Sequence, residues 1–210
     1  VLGWKPGQTE EYIIVGAHYD HIGFGKRFAM DPAAKGTLHP GADDNASGVA
    51  SMLELARTVA QGPALRRGVL FVAFAGEEHG LFGSAALLER TAELPGRLTG
   101  MINFDMVGRL RTNALFLAGL EAAALSAGRT LRRISEYPYS MSDQGTFLDA
   151  GVPSLLFFTG LHEEYHTARD TPDTLNPAGA HTLLDVAYET VLAMADRPGE
   201  IEYVPGKDPL

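Results

Sequence analysis

The 210-residue chain suits one large domain, and a chain of that size buries roughly 70% of the surface it exposes when unfolded. Its 45% apolar and 20% charged residues are globular values, and no apolar run approaches the roughly 20 residues of a membrane span. Against 26 acidic residues stand 17 basic ones, a net charge of −9 with no basic block, which argues against nucleic acid as a partner; the absence of cysteine leaves only nitrogen and oxygen to hold a metal.

The chain begins Val1-Leu2-Gly3, with neither initiator Met nor signal peptide, and is read as a mature or trimmed domain. Tyr12–Ala17 is a short apolar run that predicts a buried strand and delivers His18-Tyr19-Asp20-His21. Residues 22–42 run through Gly, Lys, Pro and Asp without periodicity, and a loop of that length in a compact domain is expected to form a rim of the site. Gly41-Ala42-Asp43-Asp44-Asn45-Ala46-Ser47-Gly48 carries helix-start residues, and Val49, Met52, Leu53, Ala56 and Val59 predict the apolar face of the helix that follows.

Gly68–Ala75 reads as a buried strand ending in Gly76-Glu77-Glu78-His79-Gly80, with a helix predicted over Ser84–Arg90. Gly100–Phe104 predicts a strand that delivers Asp105. Ala114–Ala118 is read as a further strand, and Glu121–Ile134 as a helix. Val152–Phe158 predicts a strand followed by Gly160-Leu161-His162-Glu163-Glu164-Tyr165-His166. A last helix carries Leu184, Ala187, Val191 and Met194, ahead of a polar tail containing Pro205 and Pro209. Strands alternating with helices predict an α/β domain over residues 1–210, with a mostly parallel mixed sheet between helices on both faces.

Singly, each polar cluster has a plain structural reading. His18 could be a loop histidine, Asp43 and Asp44 helix caps, Glu77 and Glu78 solvated charges. Asp105, between Phe104 and Met106, is harder to place so, because a carboxylate in apolar surroundings needs a partner or a metal. Together the clusters can converge: four follow predicted strands and one opens a helix, so all can face one crevice at the strand ends. Two histidines and several carboxylates suit zinc, and a shared carboxylate can hold two ions roughly 3.5–4 Å apart. His162-Glu163-Glu164-Tyr165-His166 also fits the single-zinc H-E-x-x-H pattern, but that motif needs a helix. Gly160 before it, Pro172 after it and the lack of an apolar stripe argue against one.

Ala17-His18-Tyr19-Asp20, Gly41-Ala42-Asp43-Asp44-Asn45-Ala46-Ser47-Gly48, Ala75-Gly76-Glu77-Glu78, Asn103-Phe104-Asp105-Met106 and Tyr165-His166-Thr167 occur in that order. Over roughly residues 12–175 the chain thereby resembles the co-catalytic zinc aminopeptidases, relatives of glutamate carboxypeptidase, the glutaminyl cyclases and the transferrin receptor ectodomain. The resemblance implies a zinc-exopeptidase-like three-layer sandwich. It implies two zinc ions held by His18, Asp43, Glu78, Asp105 and His166, with Asp43 bridging and Asp44 joined to it through a cis peptide bond. It further implies Glu77 as general base, Tyr165 as an oxyanion donor and Asp20 as the carboxylate orienting His18. Its substrates would be peptides with a free N-terminus, and its setting secreted or periplasmic.

Ser142-Asp143-Gln144 departs from the Ser-Asp-His that relatives often carry, and the chain begins within what would be an early strand. Alternatives on the same scaffold are a glutaminyl cyclase, which uses one zinc, and a glutamate-type carboxypeptidase, for which Lys26, Arg27 and Arg109 are the nearest cations in sequence. A non-catalytic binding ectodomain would have lost ligands; here the full set and Glu77 are present.

Overall fold

In the computed structural model, residues 1–111, 116–118, 132–133 and 141–201 are described. Their core is one mixed sheet of seven strands: β1 (Leu2–Lys5), β2 (Glu11–His18), β3 (Gly68–Phe74), β4 (Arg97–Phe104), β5 (Phe116–Ala118), β6 (Arg132–Arg133) and β7 (Ser154–Phe158). The order across the sheet is β1-β3-β2-β4-β7-β5-β6. The four central strands, β3, β2, β4 and β7, are parallel; β1 pairs antiparallel with β3 on one side, and β5 antiparallel with β7 on the other.

Period-two alternation divides the apolar residues of β2 between two cores. Ile13, Val15 and Ala17 join Val69, Phe71, Ile102, Phe104, Leu155 and Phe157 on one face. Helices α1 (Gly48–Gln61) and α4 (Pro177–Asp196) cover that face with Met52, Leu55, Val59, Leu183, Val186 and Val191. Tyr12, Ile14, Leu70, Val72 and Met101 point the other way, toward α2 (Phe82–Glu89) and α3 (Gln144–Asp149), where Leu87, Leu88 and Phe147 meet them. Each fully buried aliphatic or aromatic side chain contributes roughly 1.5–3 kcal/mol. The result is the three-layer α/β sandwich that the alternating pattern predicts.

Helix α1 is rotated relative to its expected face: Leu55 is buried and Leu53 is 59% exposed. At about 100° per residue, Met52, Leu55 and Val59 make one stripe, and Leu53 lies a quarter turn or more outside it. Strand β1, at the edge of the sheet, is the early strand in which the chain was expected to begin, whereas helix α3 was not foreseen, being short and lacking a clear apolar period. Of the expected segments near residue 120, Phe116–Ala118 is a strand; Arg132–Arg133 is also a strand, so the helix expected over Glu121–Ile134 does not reach its predicted end. Its remaining residues, and the tail with Pro205 and Pro209, lie outside the described residues.

The connections fix where chemistry can sit. From β2 the chain passes through α1 to β3, then returns through α2 across β2 to β4. With right-handed crossovers, this reversal puts α1 and α2 on opposite faces and opens a crevice at the carboxyl ends of β2 and β4.

Candidate metal centre

Five segments deliver polar side chains into that crevice. His18 is the last residue of β2, Glu77 and Glu78 follow β3, Asp105 follows β4, and Tyr165 and His166 lie in the turns after β7. The fifth segment, 41–47, runs into α1. Gly41 adopts φ 64°, and a β-carbon there would meet the Asp44 carbonyl oxygen at 2.4 Å. Gly48 lies so close to Asn45 Oδ1 that a β-carbon would sit 2.2 Å from it. That contact lets Asn45 tie the segment to the end of β4: its amide donates to the Phe104 carbonyl at 2.8 Å, and its oxygen accepts from the Met106 N–H at 3.2 Å.

This segment corrects the expected bridging carboxylate. Asp43, predicted as the shared ligand, turns away from the crevice: Oδ1 accepts from the Gly108 N–H at 2.7 Å and from Ser47 Oγ at 2.9 Å, while Oδ2 lies 3.2 Å from His162 Nε2. Asp44 takes the central place. Its Oδ1 is 3.3 Å from His18 Nε2, and its Oδ2 is 3.1 Å from His166 Nε2. Successive side chains leave an extended backbone on opposite sides, so a one-residue shift in register exchanges the two roles. The cis peptide bond likewise joins Asp44 to Asn45, not Asp43 to Asp44.

Around Asp44 the other expected residues converge. Asp105 Oδ1 lies 3.5 Å from His18 Nε2, and Glu78 Oε2 lies 3.0 Å from His166 Nε2. Among the described residues, His18, Asp44 and Asp105 form one group whose ligand atoms all lie within 4.8 Å of one another; His21, Asp44 and Glu78 form a second. His21 carries no role in the sequence reading, although it closes the cluster His18-Tyr19-Asp20-His21.

Asp20 lies beside His18 as expected, its carboxylate Oδ1 3.8 Å from His18 Nδ1, and has a further part as well. The backbone carbonyl of Asp20 lies 3.1 Å from His18 Nδ1, whereas its carboxylate accepts from the Glu77 and Glu78 N–H groups at 3.1 and 3.3 Å. It therefore orients the acidic pair. The loop after β2 acts in the same way on His166: the Phe28 carbonyl lies 3.0 Å from His166 Nδ1, and the Met30 N–H donates to the His166 carbonyl at 2.8 Å. The rim loop thus fixes a site residue that has φ 52°, an uncommon backbone conformation for a non-glycine residue.

The H-E-x-x-H pattern has no helix under it. Residues 163–166 form turns, with His162 facing Asp43 and His166 facing Asp44 and Glu78. Arg109, considered for an acidic substrate, is buried and occupied: it donates to Glu164 at 2.7 Å, Asp170 at 2.8 Å and Thr174 at 2.6 Å. Asp170 in turn accepts from both the Asp43 and Asp44 N–H groups at 3.0 Å. Gln144, at the departure from Ser-Asp-His, is buried beneath the site and accepts from the Asn103 amide at 2.9 Å.

The electrostatics are those of a site built around a cation. A carbonyl can only accept, so His18 and His166 each donate from Nδ1 and turn the lone pair of Nε2 toward carboxylate oxygens. Lone pair facing lone pair is repulsive unless a cation lies between them. His166 Nε2 and Asp105 Oδ1 are buried without a hydrogen-bond partner among the described residues, which fits metal ligation. In the metal-free protein, protons serve instead. For His166, burial opposes the charge, but Asp44 and Glu78 outweigh it and raise the imidazole to about 10. His18 is raised by Asp105 and Asp44 against the same opposition of burial. Burial pushes Glu77 up to about 9; His18 opposes this, and Asp105, Asp143 and Glu78 add to it. Burial also raises Asp143, to about 6.

Asp44, Glu77, Glu78, Asp105 and His166 line a pocket together with the apolar side chains of Met106, Met141, Leu156, Phe158 and Leu161. Tyr165 stacks on His166 with ring centroids 3.9 Å apart and lines the same pocket.

Known proteins match this chain closely enough to place it. Residues 1–191 match the family model described as peptidase family M28. A probable leucine aminopeptidase of Arthroderma otae is 29% identical over 210 residues, covering 91% of this chain and 57% of that protein. Leucine aminopeptidase 1 of Trichophyton equinum is 38% identical over 116 residues, 53% of this chain and 29% of its own. The structure titled BSAP, a zinc aminopeptidase from Bacillus subtilis, superposes with a TM-score of 0.77 at 25% identity, over 98% of this chain and 53% of that one. A glutaminyl cyclase of Porphyromonas gingivalis shares the fold, with a TM-score of 0.66 at 20% identity over 91% of this chain and 74% of its own. The chain spans about half the length of the aminopeptidases it matches over most of its own length.

Proposed function

Because the chain belongs to peptidase family M28, we propose that residues 1–210 form the catalytic domain of a two-zinc aminopeptidase that removes the N-terminal residue of peptides. The observation that carries this reading is the placement of Asp44 between His18 and His166, with Asp105 beside the first and Glu78 beside the second. In this reading His18 and Asp105 would hold one ion, Glu78 and His166 the other, and Asp44 would be shared between them.

Zinc bound there would supply a Lewis acid that polarises the scissile carbonyl and lowers the pKa of a water. The rest falls to the chain's own residues. Glu77, next in sequence to Glu78 and lining the same pocket, takes the proton from the attacking water. It then passes that proton to the amine nitrogen as the C–N bond breaks. Its raised affinity for a proton suits the second half of that cycle, and nearby cations lower that affinity for the first half. The phenol of Tyr165 donates to the developing oxyanion.

The mixed polar and apolar lining of the pocket suits a substrate with one polar and one apolar end. In this reading a free α-amino group approaches the polar residues of the centre, while Met106, Met141, Leu156, Phe158 and Leu161 accept an apolar first side chain. Relatives named leucine aminopeptidases agree with that preference. With Arg109 engaged by Glu164 and Asp170, a glutamate-specific carboxypeptidase loses one of its candidate cations.

The test is hydrolysis of unblocked and N-acetylated amino-acid anilides before chelation, after it, and with zinc restored. Cleavage of the unblocked compounds alone, fastest for leucine, lost on chelation and recovered with zinc, is expected. Cleavage of the blocked compounds, or activity that survives complete chelation, overturns the reading.

A further inference from the structure

His21 lies inside the site, yet the five-ligand scheme gives it no role. Its Nδ1 is 2.9 Å from Glu78 Oε1 with hydrogen-bond geometry, and a carboxylate oxygen can only accept, so Nδ1 carries the proton. The other Glu78 oxygen, Oε2, faces His166 Nε2 at 3.0 Å. Glu78 is thereby divided, one oxygen to each imidazole. His21 Nδ1 also lies 3.9 Å from Asp44 Oδ2, on the side where Asp44 meets His166.

The seat of His21 is closely built. Its ring meets that of His166 edge-on, with centroids 5.7 Å apart at 76°. A β-carbon on Gly41 would strike His21 Cγ at 2.6 Å, so the backbone that carries Asp44 into the crevice is packed directly on this ring. Nε2 is buried without a hydrogen-bond partner among the described residues. An imidazole so confined cannot swing away from Glu78.

We propose that His21 is a positioning residue for the Glu78 side of the centre: it donates from Nδ1 to Glu78 Oε1 and so presents Oε2 alone to the ion shared with His166. A free carboxylate can bind through one oxygen or both, and can rotate to leave the ion. Tying one oxygen down removes those alternatives; partners of this kind typically govern metal affinity about 10–100-fold. The inference rests on the two-ion reading.

The experiment measures zinc, not turnover. Wild type, His21→Leu and His21→Asn are titrated with zinc against a chromophoric chelator. Asparagine sets its amide N–H close to where histidine has Nδ1–H, so it keeps the donor and loses the ring. Wild type is expected to take two ions. His21→Leu should weaken one of the two sites about 10–100-fold, and His21→Asn should recover most of that loss. Equal affinity in wild type and His21→Leu overturns the proposal. Equal loss in the Leu and Asn variants also overturns it, because it assigns His21 as a ligand or as packing alone. A wild type that takes fewer than two ions overturns the two-ion reading, and this role with it, before any variant is compared. Should the variants not fold, cadmium-113-loaded wild type decides: nitrogen coupling at His18 and His166 but not at His21 is expected, and coupling at His21 is the contrary result.

Discussion

Asp43 and Asp44 are adjacent in sequence and serve different networks: Asp43 accepts from Gly108 and Ser47 beneath the crevice, while Asp44 lies between His18 and His166 within it. The two substitutions to asparagine should therefore separate. Asp44→Asn removes the central negative charge and is expected to abolish tight binding of at least one zinc, read by metal content after dialysis. Asp43→Asn should keep both ions and lower stability by about 1–3 kcal/mol through its disturbed buried hydrogen bonds. Metal loss in Asp43→Asn with retention in Asp44→Asn would reverse the assignment.

Beneath Asp43, Arg109 lies among Asp43, Glu164 and Asp170, with its Nε 3.6 Å from Asp43 Oδ2. Removing one partner of a buried ion pair strands the others without compensation, at a cost of about 3–5 kcal/mol. Arg109→Ala should thus lower the urea midpoint of unfolding sharply. Because Asp170 holds the N–H groups of Asp43 and Asp44, zinc binding should weaken as well. A stable variant that had lost only activity on acidic substrates would mean that Arg109 is a specificity residue after all.

The sequence carried most of this centre because the fold repeats one operation. A parallel strand ends and its next polar residue enters the crevice, so His18, Glu77, Glu78 and Asp105 could each be placed from the apolar run before it. Segment 41–47 has no strand before it to set the phase. The choice between Asp43 and Asp44 depends instead on local backbone geometry, in which neighbouring aspartates are equivalent on paper. Asp170 was hidden for a different reason: its partners are backbone N–H groups 126 and 127 residues away, and no spacing rule reports them. His21 could have been noticed from its cluster, but nothing in the sequence tells a ligand from a residue that holds one.

The metal-free protein should lose stability as the pH rises. His166 is raised to about 10, so its pairing with Asp44 and Glu78 favours the fold fully below its ordinary value near 6.5 and is lost as pH passes through about 10. Glu77, raised to about 9, acts in the same direction: the folded state holds its proton more tightly, and that advantage disappears as pH rises to about 9. Thermal unfolding of chelated protein should show a falling Tm between about pH 7 and pH 10. With zinc bound, the same imidazole and carboxylates face a cation and not a proton, and the decline should be much shallower. A metal-free Tm that rose over this range would contradict the pairing.

Glu77 is the residue whose replacement separates chemistry from assembly. Its backbone N–H is fixed by Asp20, and its side chain lines the pocket without contributing to either group of converging ligand atoms. Glutamine keeps the size and the hydrogen-bonding capacity but cannot take a proton from water. Glu77→Gln should therefore keep both zinc ions while kcat falls at least about 10²–10⁴-fold, the usual contribution of a positioned general base. KM for an unblocked leucine anilide should change little, since the apolar lining of the pocket, Met106, Met141, Leu156, Phe158 and Leu161, is untouched. If the variant instead loses zinc, Glu77 is a ligand and the proton must travel by another group; if kcat is unchanged, the base lies elsewhere in the pocket.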